Sequence, residues 1–167
     1  MTTGGPDPTE DESVWQPLRR LLGDMDDEIG RLYRQRGLDS IRPRFVMPLI
    51  RLGHRGAMTI RELADALGVT HSAMSQTVSA MRREGLVRSI AGTDARTRQV
   101  TLTKRAHALL PLLEAEWRAT EQAVRELEGE LPHPLSEVVR DLEEALARRS
   151  FHDRIAHHLQ RSQEQSS

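Results

Sequence analysis

Between Leu63 and Met81, apolar residues recur at helical spacing in two bursts parted by a glycine. Leu63, Ala64 and Leu67 form one stripe, Arg61, Glu62 and Asp65 take the water side, and Gly68 stands where a helix C-cap needs positive φ. Thr70 is placed to N-cap a second helix whose Met74, Val78 and Met81 share a face. Gly85 closes that helix. The pattern then changes to short extended runs, Leu86 to Ile90 and Gln99 to Leu102, predicted as two strands joined by Ala91 to Arg98. Helix, turn, helix and hairpin in that order make a winged helix-turn-helix.

Upstream, Ile41 to Gly53 is predicted as a linking helix. Pro43 opens it, Phe45, Val46, Leu49, Ile50 and Leu52 pack it under the winged helix, and Pro48 inside it demands a bend or an interrupted hydrogen bond. Val14, Leu18, Leu21, Leu22, Met25, Ile29 and Leu32 mark an apolar seam on a helix from about Ser13 to about Arg36. A second long helix runs from Thr103 to about Glu130 along Ala106, Leu109, Leu110, Leu113, Trp117, Val124 and Leu127, with a kink expected at Pro111. A third starts near Pro134, carries Leu135, Val138, Val139, Leu142 and Leu146, and is extended by Ser150 to Leu159.

These helices hold more apolar length than one small lobe covers, so the surplus is expected to bury against a second copy. The expected fold class is mainly α with a small β-hairpin wing: a winged helix-turn-helix plus a helical dimerisation lobe. The expected division is a disordered tail at 1–12, a dimerisation helix at 13–40, the winged helix-turn-helix at 41–102, dimerisation helices at 103–159 and a disordered tail at 160–167.

Charge gives the winged segment a partner. From Thr70 to Arg105 the chain has Arg82, Arg83, Arg88, Arg96, Arg98, Lys104 and Arg105 against only Glu84 and Asp94, within a protein of formal net charge -1. Met1 to Gly30 is the reverse, with eight carboxylates against Arg19 and Arg20. Such sorting suits a protein with one DNA-facing side. On the second helix Ser72, Ser75, Gln76 and Ser79 are small or amide-bearing, fit for close approach to base edges, and Arg82 and Arg83 suit phosphates. At the hairpin tip Arg96 and Arg98 suit a narrow minor groove, and Asp94 is placed to pair with an arginine and fix its direction. A winged helix that binds only protein would be expected to show an apolar or acidic face instead.

The run LADALGVTHSAMSQTVSAMRREGLV, followed by DARTRQVTLT and a long helix, resembles the MarR family of bacterial transcriptional regulators over roughly Arg42 to Arg149. Leu63-Ala64, Gly85-Leu86-Val87, Asp94-x-Arg96 and Leu102-Thr103 carry the resemblance; Gln76 and Ala80 stand where many members have arginine, and Arg98 where many have an apolar residue. The resemblance implies a homodimer on a pseudo-palindromic operator, usually a repressor and often released by a small ligand. It also implies an aromatic or phenolic effector in the cleft beside the bent linking helix, where Tyr33, Arg51, His54 and Trp117 are the side chains that would receive one.

The remaining composition narrows the options. With no cysteine, disulfides, thiolate metal sites and oxidation switches are excluded, and aromatics at 3% leave the core to aliphatic residues and methionine. No glycine-flanked nucleophile, phosphate-cradling loop or paired metal motif is present, so neither an enzyme nor a cofactor is expected. Asp153 and His157 lie one helical turn apart beside His152 and His158, a chelating spacing, but histidines among arginines in a polar tail are ordinarily solvated and no metal site is expected. No apolar run nears the roughly 20 residues of a membrane span, and Met1 to Glu12 lacks the pattern of a signal peptide, so the expected location is cytoplasmic.

Overall fold

The computed structural model describes residues 7, 9–11, 13–91 and 98–165, in two compact units, Met1–Ala115 and Glu116–Ser167. The elements are α1 (Gln16–Gln35), α2 (Pro43–Arg55), α3 (Ile60–Leu67), α4 (His71–Arg83), β1 (Val87–Ala91), β2 (Arg98–Leu102), α5 (Lys104–Gly129), α6 (Leu135–Arg148) and α7 (Phe151–Gln165). The fold is mainly helical with one antiparallel hairpin, as the sequence pattern predicts.

The core of the first unit assembles the winged helix. Phe45, Leu49 and Leu52 of α2, Leu63 of α3, Met81 and Val78 of α4, Leu86, and Leu113 of α5 are all essentially inaccessible to solvent. Neither internal proline ends its helix. Pro48 is buried within α2 and Pro111 lies within α5, each supplying no N–H to the carbonyl four residues earlier.

Local chemistry fixes each boundary of the helix-turn-helix. The α3 N-terminus is a reciprocal capping box: the Glu62 N–H donates to Thr59 Oγ1 at 3.1 Å, and the Thr59 N–H donates to Glu62 Oε2 at 2.7 Å. Thr59-x-x-Glu62 announces this in the sequence. Gly68 closes α3 in the left-handed region at φ 65°, as expected, and the α4 N-cap is Thr70, whose hydroxyl accepts from the Ala73 N–H at 3.2 Å. At the far end of α4, the Gly85 N–H reaches the Arg82 carbonyl and the Leu86 N–H reaches that of Met81, the paired bonds of a Schellman closure. Leu86 therefore belongs to the helix end, and β1 starts one residue later than the alternation predicts.

Thr59→Ala is expected to lower stability by about 1 kcal/mol, since it removes one half of the box. The Glu62 carboxyl is held below its ordinary value of 4.5, first by the Thr59 backbone N–H and then by the Thr59 side chain. A lowered carboxyl contributes stability that is present above the ordinary value and lost as pH falls through the lowered one. Urea unfolding at neutral and acid pH checks both points: the wild type should lose this contribution on acidification, and Thr59→Ala should lose less.

β1 and β2 pair in register from Val87 with Leu102 to Ala91 with Arg98. Met58 adds a single bridge to the other edge, exchanging backbone bonds of 3.1 and 2.7 Å with Val100. Thr103 welds the hairpin to the next helix: its hydroxyl donates toward the Gly85 carbonyl at 2.9 Å and accepts from the Ala106 N–H at 3.3 Å.

In the second unit no residue of α6 is buried, and Leu135, Val138, Val139, Leu142 and Leu146 form an uncovered stripe at helical spacing. Glu128 receives the Ser136 N–H and hydroxyl at 2.7 and 2.8 Å, securing the start of α6. Two expectations for this end of the chain are corrected. The segment from Ser150 is a separate helix rather than an extension, because Arg149 is extended, the Ser150 hydroxyl caps the Asp153 N–H at 3.1 Å, and Arg154 donates to the carbonyls of Ala145 in α6 and of Arg149 just beyond it. The tail expected to be disordered from residue 160 is helical to Gln165, as good helix formers such as Gln160, Arg161 and Glu164 permit. The other expected tail, 1–12, lies largely outside the described residues.

Candidate nucleic-acid interface

The second helix of the helix-turn-helix divides by burial. Met74, Val78, Ala80 and Met81 are buried, while Ser72, Gln76, Ser79, Arg82 and Arg83 are exposed and Ser75 is half-buried. Ala80 is only 3% exposed, so this position belongs to the core and presents nothing to an external partner. Ser75, Gln76, Ser79, Arg82 and Arg83 line one open groove of about 700 Å³.

A sixth residue lines that groove: Arg44, from the first turn of α2. Among the described residues the groove thus carries three guanidinium groups and no carboxylate. Sequence reasoning missed Arg44, because the start of a linking helix resembles any other helix start until packing sets it against α4. The only local signal was the pair of arginines, Arg42 and Arg44, around Pro43.

Arginines tie the end of α4 to its neighbours. Arg82 Nη2 donates to Ser89 Oγ at 2.8 Å, tying the end of α4 to β1. Beneath it, Arg105 Nη1 donates to the Glu84 carbonyl at 2.7 Å and Nη2 to the Ser40 hydroxyl, while Arg42 lies 3.9 Å from the Glu84 carboxylate. Arg105, counted among the basic residues of the winged segment, is therefore engaged by hydrogen bonds within the chain.

Arg98 is exposed at the first residue of β2, opposite Ala91. Asp94 and Arg96, the remaining residues of the expected wing tip, lie outside the described residues. The residues singled out for an effector are divided. Tyr33, 1% exposed, Arg51, half-buried, and His54 fall in the first unit, and Trp117 in the second. His54 Nε2 lies 2.9 Å from Glu114 Oε1, linking α2 to α5. Gly53, next to it, allows that approach: a β-carbon there would meet Leu110 Cδ1 at 2.5 Å. In the histidine tail, Asp153 pairs with His152 at 3.3 Å and His157 meets His158 edge-on, their ring centres 5.6 Å apart; no group of three metal-binding side chains occurs among the described residues. No helix among the described residues is long and apolar enough to cross a membrane.

A helix-turn-helix with a polar, cationic face and an adjoining antiparallel hairpin defines the winged helix-turn-helix class. Residues 49–97 match the model of the MarR family, so the resemblance read from the sequence is found in the winged segment itself; that family consists of transcriptional regulators, not enzymes. No curated protein matches the chain by sequence. Among solved structures, the chain is similar to the M. tuberculosis transcriptional regulator MOSR in complex with DNA, at 24% identity and TM-score 0.57 over 83% of this chain and 99% of that one. It is also similar to the S. aureus MepR-DNA complex, at 19% identity and TM-score 0.60 over 82% and 98% of the two chains. A MarR family transcriptional regulator from Listeria monocytogenes complexed with 26mer DNA matches at 15% identity and TM-score 0.56, over 82% of this chain and 91% of that one. These likenesses establish the fold.

Proposed function

We propose that the protein is a sequence-specific DNA-binding transcriptional regulator of the cytoplasm, acting as a homodimer on a pseudo-palindromic operator. The observation that carries this reading is the α4 groove, with serine hydroxyls, one amide and three guanidinium groups and no carboxylate among the described residues of its walls. Hydroxyls and amides read base edges, and arginines hold phosphates. Support comes from the MarR family match over the same segment and from relatives of this fold solved with DNA. The second copy is supported by the uncovered apolar stripe of α6. Each protomer presents α4 to one of two successive major grooves, roughly 34 Å apart, with Arg96 and Arg98 of the wing at the flanking minor grooves and Asp94 directing an arginine.

The regulatory output we propose is repression relieved by a small aromatic or phenolic ligand, as the family resemblance implies. Tyr33, Arg51, His54 and Trp117 are its proposed contacts, and the helix joining reader to dimer lobe is the proposed hinge.

Selection of duplexes from a random-sequence pool, followed by affinity measurement across salt concentrations, tests the DNA reading. An inverted repeat should be enriched, and its affinity should fall steeply with salt, by a slope of about 0.9 per neutralised phosphate. Gln76→Ala should change the bases selected by about 1–3 kcal/mol of discrimination at one position per half-site while leaving the salt slope unchanged. A pool that enriches nothing, or binding indifferent to salt, overturns the reading.

A further inference from the structure

We propose that Arg44 is a DNA phosphate-binding residue, a contact supplied by the linking helix α2 rather than by the helix-turn-helix or the wing; this rests on the DNA-binding reading of the α4 groove. Three observations lead to it. First, Arg44 shares the open groove of about 700 Å³ with Ser75, Gln76, Ser79, Arg82 and Arg83, although it stands far from them in sequence. Second, its charge has no counterpart among the described residues. It also borders a neighbouring cleft of about 370 Å³ whose lining includes Asp26, Asp27 and Asp39 as well as Arg34 and Arg42, yet none of these carboxylates lies within ion-pair distance of the Arg44 guanidinium, and Arg44 has no ion pair among the described residues. The other nearby arginines differ: Arg42 lies 3.9 Å from the Glu84 carboxylate, and Arg105 is spent on the Glu84 carbonyl and Ser40. Third, Arg44 is aimed rather than loose. Its guanidinium carbon sits 5.6 Å from the ring centre of Phe45, a side chain with no solvent exposure, so the planar group has a fixed apolar surface to rest on.

The chemistry favours phosphate over a base edge. The base-reading positions on α4 are taken by short side chains and Gln76, while Arg44 approaches from a different element at the groove's flank, where a sugar-phosphate strand passes as the helix enters the major groove. A guanidinium matches two phosphate oxygens with parallel N–H donors, which makes arginine the suitable residue for such a flank. Arg82 is already turned toward Ser89 of β1, so Arg44 and Arg83 are the groove's guanidiniums without an intramolecular hydrogen bond among the described residues.

The test is the salt dependence of binding to a labelled mixed-sequence duplex of about 30 base pairs, long enough for two half-sites one helical turn apart. It uses the full chain as wild type, Arg44→Ala and Arg44→Lys. Arg44→Ala should weaken binding about tenfold per protomer near 0.1 M salt and lower the slope of log affinity against log salt by about 0.9 per protomer; Arg44→Lys should restore most of the slope. Thermal melting of each variant identifies a merely structural role, which would shift the melting temperature and leave the slope unchanged. Wild-type binding with an unaltered slope in Arg44→Ala overturns the assignment and leaves the DNA reading standing. A wild type that shows no salt-dependent binding overturns both.

Discussion

Replacing Phe45 with alanine is expected to remove about 3–5 kcal/mol of folding stability, the usual range for a large aromatic side chain deleted from a close-packed interior. Phe45 has no solvent exposure, and it sits one residue after Arg44 in the helix that underlies the winged helix. Domains of ordinary stability hold about 5–15 kcal/mol in all, so this one change takes a large share. The loss combines the transfer energy of the ring and the cavity left behind, because a close-packed interior collapses only partly around it. Urea unfolding should show a lower midpoint with an unchanged slope, the sign of altered stability rather than altered compactness. The same variant, measured at low temperature where it stays folded, should also bind DNA more weakly, since Arg42 and Arg44 lose the ring on which they rest at 6.0 and 5.6 Å. A midpoint that drops by less than about 1 kcal/mol equivalent would mean that α2 is not the packing centre of this unit.

The parts of the fold legible in the sequence are those fixed by local chemistry. Gly68 and Gly85 end their helices because both adopt positive φ, and Thr70 starts α4 with its hydroxyl, all within a few residues of the atoms they serve. Leu86 shows the limit of that legibility: alternation assigns it to a strand, but its N–H is already bound to Met81, a bond that depends on the turn geometry rather than on hydrophobic pattern. Ser150-x-x-Asp153 carries the start of α7 in the same capping language as Thr59-x-x-Glu62, and both are readable once the spacing is sought. Arg44 and Ala80 could not be read this way. One joins the groove, and the other leaves the surface, through packing between segments distant along the chain. The residues proposed for an effector are likewise linked in the sequence only by their chemistry.

Replacing Leu142 with arginine is expected to separate the proposed dimer and, through it, to weaken operator binding by at least about 100-fold. Leu142 lies at the middle of the α6 stripe and is 41% exposed, an unfavourable state for a leucine unless something covers it. The run Leu135, Val138, Val139, Leu142 and Leu146 offers one continuous apolar ridge, and a twofold axis through it would place the same residue on both sides of the seam. Arginine there sets two like charges in a desolvated contact, while within one protomer it remains at a half-exposed helical position beside Glu143 and Glu144, where it costs little. The variant should therefore keep its helical circular dichroism and sediment as a monomer at micromolar concentration. Loss of operator affinity follows because each half-site then binds separately, without the effective concentration supplied by a tethered partner. If Leu142→Arg remains a dimer, α6 is not the seam. If it is a monomer with unchanged operator affinity, the two-half-site reading of the operator fails while the groove of α4 keeps its role.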